Sequence, residues 1–181
     1  MLDAHDLHAL QVTRLALALY DALVELHDLG RQERRLLEIA ALLHDIGWAG
    51  GREKHHKRSY SMILDNPPAN LTPRETLIVA NVARYHRKAL PRNSHDGFNA
   101  LHNRDKHVVR VLAAILRVAD GLDRTHTGAC EVIGVSLDDR TVRVSVIANS
   151  GCRAELETAQ EKADLFSEVF SRDIDFSIHH D

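Results

Sequence analysis

The chain has 181 residues, 44% hydrophobic and 27% charged, with a net charge of −3. That length is enough for one domain of ordinary size, burying about 70% of its unfolded surface, and the mild acidity gives no reason to expect nucleic acid or an anionic membrane as a bulk partner. Apolar runs stay far short of a membrane span, no apolar stretch follows a basic start as in a signal peptide, and Cys130 and Cys152 lack CxxC spacing, so a cytoplasmic protein with two buried thiols is expected, a single disulfide being the alternative.

Residues 4 to 28 carry Val12, Leu15, Leu19, Leu23 and Leu26 at helical spacing, and Gly30 closes that helix. RQERRLLEIAALLHDI begins the next, with Gly47 as its stop, and GREKHHKRSYSMILDN reads as helix until NPP breaks it. Thr72, Pro73 and Glu75 form a capping box with proline at the first helical position, opening a helix through ETLIVANVARYHRK. Residues 89 to 103 read as loop or one short helix, and DKHVVRVLAAILRVADGL is the most apolar helix and the expected centre of the fold. The period then changes: EVIGVSL and TVRVSVIA read as two strands around a tight turn at DDR. CRAELET is a candidate third strand, TAQEKADLFSEVFS a covering helix and DIDFSI a short edge strand. The expected fold is mainly α: five or six helices over residues 1–127, then a small antiparallel β-sheet with one covering helix over residues 128–181, packed on the same domain.

Thirteen histidines exceed what packing requires. His8 shares a stripe with Val12, Leu15 and Leu19, His44 with Leu37 and Ala40, His86 with Val79 and Val82, and Asp120 with Leu112 and Leu116. On HHKRSYSMIL, His56 precedes Tyr60, Ile63 and Leu64 by helical steps, which favours it over His55 as the inward histidine. A lone inward histidine is ordinarily a core residue bonded to backbone, and Asp120 has Arg117 and Arg124 nearby as ion-pair partners. Several helices each burying one imidazole or carboxylate is nevertheless costly unless they share a charge where they meet. A divalent cation meets that cost, and a polar core network is the alternative.

A mixed nitrogen and oxygen set without thiolate suits Mn²⁺, Fe²⁺, Ni²⁺, Mg²⁺ or Zn²⁺, as one ion or two. A metal lowers the pKa of its bound water and yields a nucleophilic hydroxide near neutral pH. Lys57, Arg58, Arg87, Lys88 and Arg124 are dense enough around the candidate ligands to suit an anionic substrate, and a phosphate ester fits both features.

The order His8, His44-Asp45, Asp120 on successive helices resembles the HD-domain metal-dependent phosphohydrolases. The blocks LLEIAALLHDIG, HHKRSYSMIL, VARYHRK and LAAILRVADGLDRTH, with EKADLFSEVF after the strands, resemble more closely the C-terminal HD-type domain of the exopolyphosphatase and guanosine-pentaphosphate phosphatase (Ppx/GppA) family. The resemblance implies a helical HD-domain bundle, with His8, His44, Asp45 and Asp120 as metal ligands. It gives His56 and His86 to a second metal or to catalysis, and the density of Lys57, Arg58, Arg87, Lys88 and Arg124 makes them the expected contacts to substrate phosphate. In the full-length family, polyphosphate and pentaphosphate hydrolysis belong to an N-terminal actin-like domain that these residues do not match, so that activity is not carried over. The expected function is metal-dependent hydrolysis of a nucleotide or other small phosphate ester through a metal-bound hydroxide. Its rival is a non-catalytic module that binds polyphosphate or an alarmone nucleotide and regulates a partner. A purely structural oligomerisation domain leaves the inward ligands without a reason. A small phosphorylated substrate is the expected partner, without nucleic acid or membrane, and a homodimer is left open.

Overall fold

A computed structural model describes residues 4–148 and 151–179. In chain order they form α1 (Ala4–Ala22), the single turn α2 (Val24–His27), α3 (Arg31–Leu43), a 3₁₀ turn (Ile46–Gly50), α4 (His55–Asp65), α5 (Pro73–Arg84), the short α6 (Asp96–Asn99) and α7 (Asn103–Gly121). There follow β1 (Cys130–Leu137), β2 (Thr141–Ala148), α8 (Arg153–Glu161), α9 (Asp164–Phe170) and β3 (Asp173–His179). The fold is mainly helical with a small sheet near the C-terminus, as the periodicities predict.

The stripe of α1 is buried as its spacing requires: Val12, Leu19 and Leu23 are sealed from solvent, and Leu15 nearly so. The capping box at α5 forms in full, Glu75 N donating to Thr72 Oγ1 at 3.3 Å and Thr72 N donating to Glu75 Oε2 at 2.8 Å. α7 is buried almost all round, from Val108 to Ala119. It lies in the middle of the molecule, packed by α1, α3, α5, α8 and α9. Among the described residues no helix is long and apolar enough to cross a membrane.

Three expectations about the C-terminal region change. CRAELET is not a strand but most of α8. Its buried positions Glu155 and Ala159 lie four apart, a helical spacing, and a short apolar pattern of this kind satisfies both periods until packing chooses. The sheet is also mixed. β1 and β2 form the expected antiparallel hairpin, with Asp138 Oδ1 accepting from Arg140 N and Thr141 N across the turn. β3 instead pairs parallel to β2, in the order β1-β2-β3. The expected single covering helix is two, α8 and α9, and that helical crossover turns the chain so that β3 runs in the same direction as β2.

Candidate metal centre

The HD pair sits where α3 stops. His44 is the C-cap of α3 and Asp45 the N-cap of the following 3₁₀ turn. That turn lies backbone to backbone on the start of α4. A Cβ on Gly47 would stand 2.4 Å from the His55 carbonyl oxygen, so only glycine fits, and Gly47 N donates to buried Ser59 Oγ at 3.0 Å. The close approach carries Asp45 to His55, whose Nε2 lies 3.0 Å from Asp45 Oδ1. His86, just beyond α5, brings Nε2 to 3.5 Å from the same oxygen. On the other flank, His8 Nε2 stands 3.3 Å and His44 Nε2 3.7 Å from Asp120 Oδ1, near the end of α7.

The ring orientations are fixed from behind. His44 Nδ1 donates to Ala41 O at 2.6 Å, His86 Nδ1 to Ala83 O at 2.7 Å and His55 Nδ1 to Arg52 O at 3.0 Å, while His8 Nδ1 is held by Asp123 Oδ2 at 2.8 Å. A carbonyl or carboxylate can only accept, so each of these bonds puts the proton on Nδ1 and turns the Nε2 lone pair inward. Histidines that ligate metals are ordinarily backed in this way, which fixes their tautomer and ring orientation. His55 and His86 thereby face each other, Nε2 to Nε2, at 3.3 Å. His8 Nε2, His44 Nε2 and Asp45 Oδ1 are buried with no aligned hydrogen bond among the described residues. Such orphaned groups are costly unless a cation or proton sits among them. Ligand atoms from His8, His44 and Asp45 lie within 4.8 Å of one another, as do those from Asp45, His55 and His86, with Asp45 common to both groups. The donor set therefore fits a divalent ion in each.

The electrostatics agree. Burial works against a protonated His8, but the close Asp120 carboxylate, the bond to Asp123 and both their charges prevail and raise it to about 9. Burial favours a neutral Asp45, yet the contact with His55 and the neighbouring His44 and His86 hold its carboxyl far below the usual range. Burial likewise opposes ionisation of Asp120, and Lys162 with His44 and His8 overrides it. His86 is pushed well below its ordinary value, burial being the main cause.

Asp45, His55, His86 and Asp120 line a cavity of about 740 Å³, whose mouth carries Arg52, Arg87, Arg124 and Lys162 beside Glu157 and Glu161. Arg87 Nη1 stands 3.4 Å from both ring nitrogens of His55, which places it over the ring face. Among the residues expected from sequence, the structure brings His8, His44, Asp45, Asp120 and His86 to one centre, with Arg87 and Arg124 at its mouth. It does not bring the others there. His55, not His56, faces Asp45, which corrects the face assignment on α4. The stripe count took Tyr60 and Leu64 as buried, whereas Ser59 is sealed and Leu64 is 36% exposed, because Gly47 docks on Ser59. His56 instead lines a neighbouring pocket with Lys57 and Lys88, where burial first, and then the surrounding charges that include Arg87, Lys57 and Lys88, push it down to about 4. Arg58 is committed to the backbone, donating to the carbonyls of Gly47, Glu53 and Gly51, and so clamps the loop rather than a phosphate.

Five residues of the site lie outside the sequence expectation, Arg52 at the cavity mouth among them. His55 was visible beside His56. Asp123 stands in the ADGLDRTH block, and its buried carboxylate also accepts from Gly128 N at 2.8 Å. His126 stacks on His8 with centroids 3.7 Å apart. Lys162, whose ammonium bonds Asp120 Oδ2, gave no signal, being 42 positions away. Arg117, one of the two ion-pair partners that the alternative to a metal offered Asp120, pairs with Asp164 instead at 2.7 Å.

A helical fold whose helices converge on a buried imidazole–carboxylate centre below a cationic mouth defines a class of candidate metal-binding proteins. The family described as Ppx/GppA phosphatase, domain III, matches residues 2–162, and the chain belongs to it. No curated protein matches the chain. The family is one of phosphatases, so the protein is phosphatase-related.

Proposed function

We propose that the protein is a metal-dependent phosphohydrolase acting on a nucleotide or other small phosphate ester. The observation that carries this reading is the convergence of four backed imidazoles on two buried carboxylates beneath Arg52, Arg87 and Arg124. His8, His44, Asp45 and Asp120 would hold one ion, and Asp45, His55 and His86 a second. A divalent ion there supplies Lewis-acid polarisation of a phosphoryl oxygen and a water of lowered pKa. Four imidazoles against two carboxylates suit Mn²⁺, Fe²⁺, Ni²⁺ or Zn²⁺ better than Mg²⁺, which prefers oxygen.

The chain's own residues supply the rest. Arg52, Arg87 and Arg124 are placed to bind and orient phosphate oxygens with planar forks, the electrostatic contribution on which phosphoryl transfer mainly depends. Lys162 already neutralises one oxygen of Asp120 and stands at the cavity wall, where it adds a further positive charge. Arg87, stacked over His55, ties the phosphate-binding side to the ligand side. The family match supports hydrolysis over the non-catalytic module.

The test is elemental analysis of purified protein, then phosphate release from mononucleotides, nucleoside triphosphates and simple esters with Mn²⁺, Mg²⁺ and Ni²⁺. Asp45→Asn is nearly isosteric and removes the one carboxylate common to both groups. It should lower release at least ~10²-fold while leaving the metal-free fold intact. A protein that neither retains metal nor releases phosphate from any of these substrates would sink the reading.

A further inference from the structure

The two edges of the sheet are protected unequally. β1 is interrupted by a bulge between Val132 and Gly134 and is packed by α1, whose Gln11 Nε2 donates to Cys130 O at 2.7 Å. β3, the other edge, has no proline, lysine or bulge along Asp173–His179, the devices that ordinarily keep an edge strand from pairing. Its register with β2 fixes which backbone groups face outward. Asp173 N donates to Arg140 O at 2.9 Å, so the backbone of Asp173 faces β2. In a parallel ladder alternate residues turn both backbone groups to the partner strand, so Asp175, Ser177 and His179 do the same. The N–H and C=O groups of Ile174, Phe176 and Ile178 therefore point away from β2, and no hydrogen bond reaches them among the described residues. Their side chains share one face of the sheet, and its cover thins along the strand: Ile174 is sealed, Phe176 half-buried and Ile178 37% exposed.

We propose that β3 pairs antiparallel with the β3 of a second copy of this chain, joining the two sheets across a two-fold axis at Phe176. The strand is self-complementary in that register. Phe176 meets the partner's Phe176 and Ile174 meets the partner's Ile178, and each pair exchanges two main-chain bonds between the outward groups. These pairs lie on the apolar face, where the partner's Ile174 covers the exposed Ile178. On the opposite face Asp173 stands against the partner's His179 and Asp175 against the partner's Ser177, so no like charges are directly opposed. Moving the axis back by one residue sets Asp175 against the partner's Asp175, and moving it back by two sets Asp173 there. Moving it forward leaves the start of the strand unpaired. Only the axis at Phe176 engages all of Asp173–His179 without opposing like charges. No residue of β3 lines the metal cavity, so the pairing does not draw on the phosphohydrolase reading.

The test is sedimentation of the purified protein over a wide concentration range, with amide hydrogen exchange of β3 read by NMR at both ends of it. A reversible monomer–dimer equilibrium is expected. In the dimer the amides of Ile174, Phe176 and Ile178 should exchange at least ~10-fold more slowly, while those of Asp175 and Ser177, already bonded to β2, change little. Ile178→Lys should raise the dissociation constant at least ~10-fold. That side chain is exposed, so an unchanged melting curve at low concentration verifies the fold of the variant. His179→Asp places a carboxylate opposite the partner's Asp173 and should weaken the dimer similarly, and adding Asp173→Lys should restore it. Both positions are exposed. A protein that stays monomeric leaves this edge to another occupant, and a dimer indifferent to Ile178→Lys is joined through another surface; either would overturn the proposal. So would slowed exchange without the alternation, or a charge reversal that restores nothing.

Discussion

At His8 a proton and a cation compete for one lone pair. With Nδ1 engaged by Asp123, Nε2 faces the carboxylate of Asp120, and without metal the imidazole satisfies both by taking a proton, which is why its pKa rises to about 9. The folded value lies above the unfolded 6.5. The stability that this group gives to the metal-free protein, up to ~3 kcal/mol, is therefore complete below about pH 6.5 and lost as the pH climbs through about 9. Metal affinity runs the other way, because binding at Nε2 must expel the proton. Between pH 7 and 9 affinity should rise by up to ~10-fold per pH unit. Calorimetry at pH 7 in two buffers of different ionisation heat should record about one proton released per ion. Release of none would remove His8 from the ligand set. His86, held neutral by burial, has no proton to give.

Among the elements, the contact between the 3₁₀ turn and α4 decides whether the site assembles. Gly47→Ala drives a methyl against the His55 carbonyl, 2.4 Å away, and against Ser59 N, 2.6 Å away. Both are backbone atoms that cannot swing aside. The turn must lift from α4, separating Asp45 from His55 and breaking the Gly47 N to Ser59 Oγ bond. The expected outcome is a loss of ~2 kcal/mol or more in urea unfolding, with metal affinity falling at least ~10-fold. Unchanged metal affinity would show that the second ligand group does not depend on this contact. Periodicity foretold most of these elements because each helix stripe is read against one buried side. It failed on α4, where a buried serine and an exposed leucine invert the polarity that the count assumes. It failed again at CRAELET, too short a run to separate the two periods.

Across the whole molecule, the ligand groups come from α1, the end of α3, the start of α4, the end of α5 and α7, so a bound cation would staple elements that are distant in sequence. Binding to the folded state alone adds ~2.7 kcal/mol at a hundredfold excess of ion over Kd, which for a chain of this size raises Tm by about 5–10 °C. Thermal unfolding of stripped protein with added Mn²⁺ should show that rise, and Asp45→Asn should abolish most of it. An equal rise in the variant would mean that the ion binds elsewhere.

The sequence by itself determined the long helices, the hairpin, and the inward placement of His8, His44, His86 and Asp120, since helical spacing ties each to its own apolar stripe and that relation is local, with Asp45 following as the neighbour of His44. Only the tertiary structure decided which histidine of the His55–His56 pair meets Asp45, that Arg58 clamps backbone, that β3 runs parallel to β2, and that Lys162 reaches Asp120. Each of those depends on a contact between segments distant in sequence. Gly47 lies against α4, and Gly121 lies against Ala159, where a Cβ would stand 2.5 Å from the Ala159 Cα and so brings α8 and the following Lys162 down on the end of α7. Local periodicity records which side of a helix is apolar, but it does not record what approaches that side, and the chemistry of this centre is set by the approach.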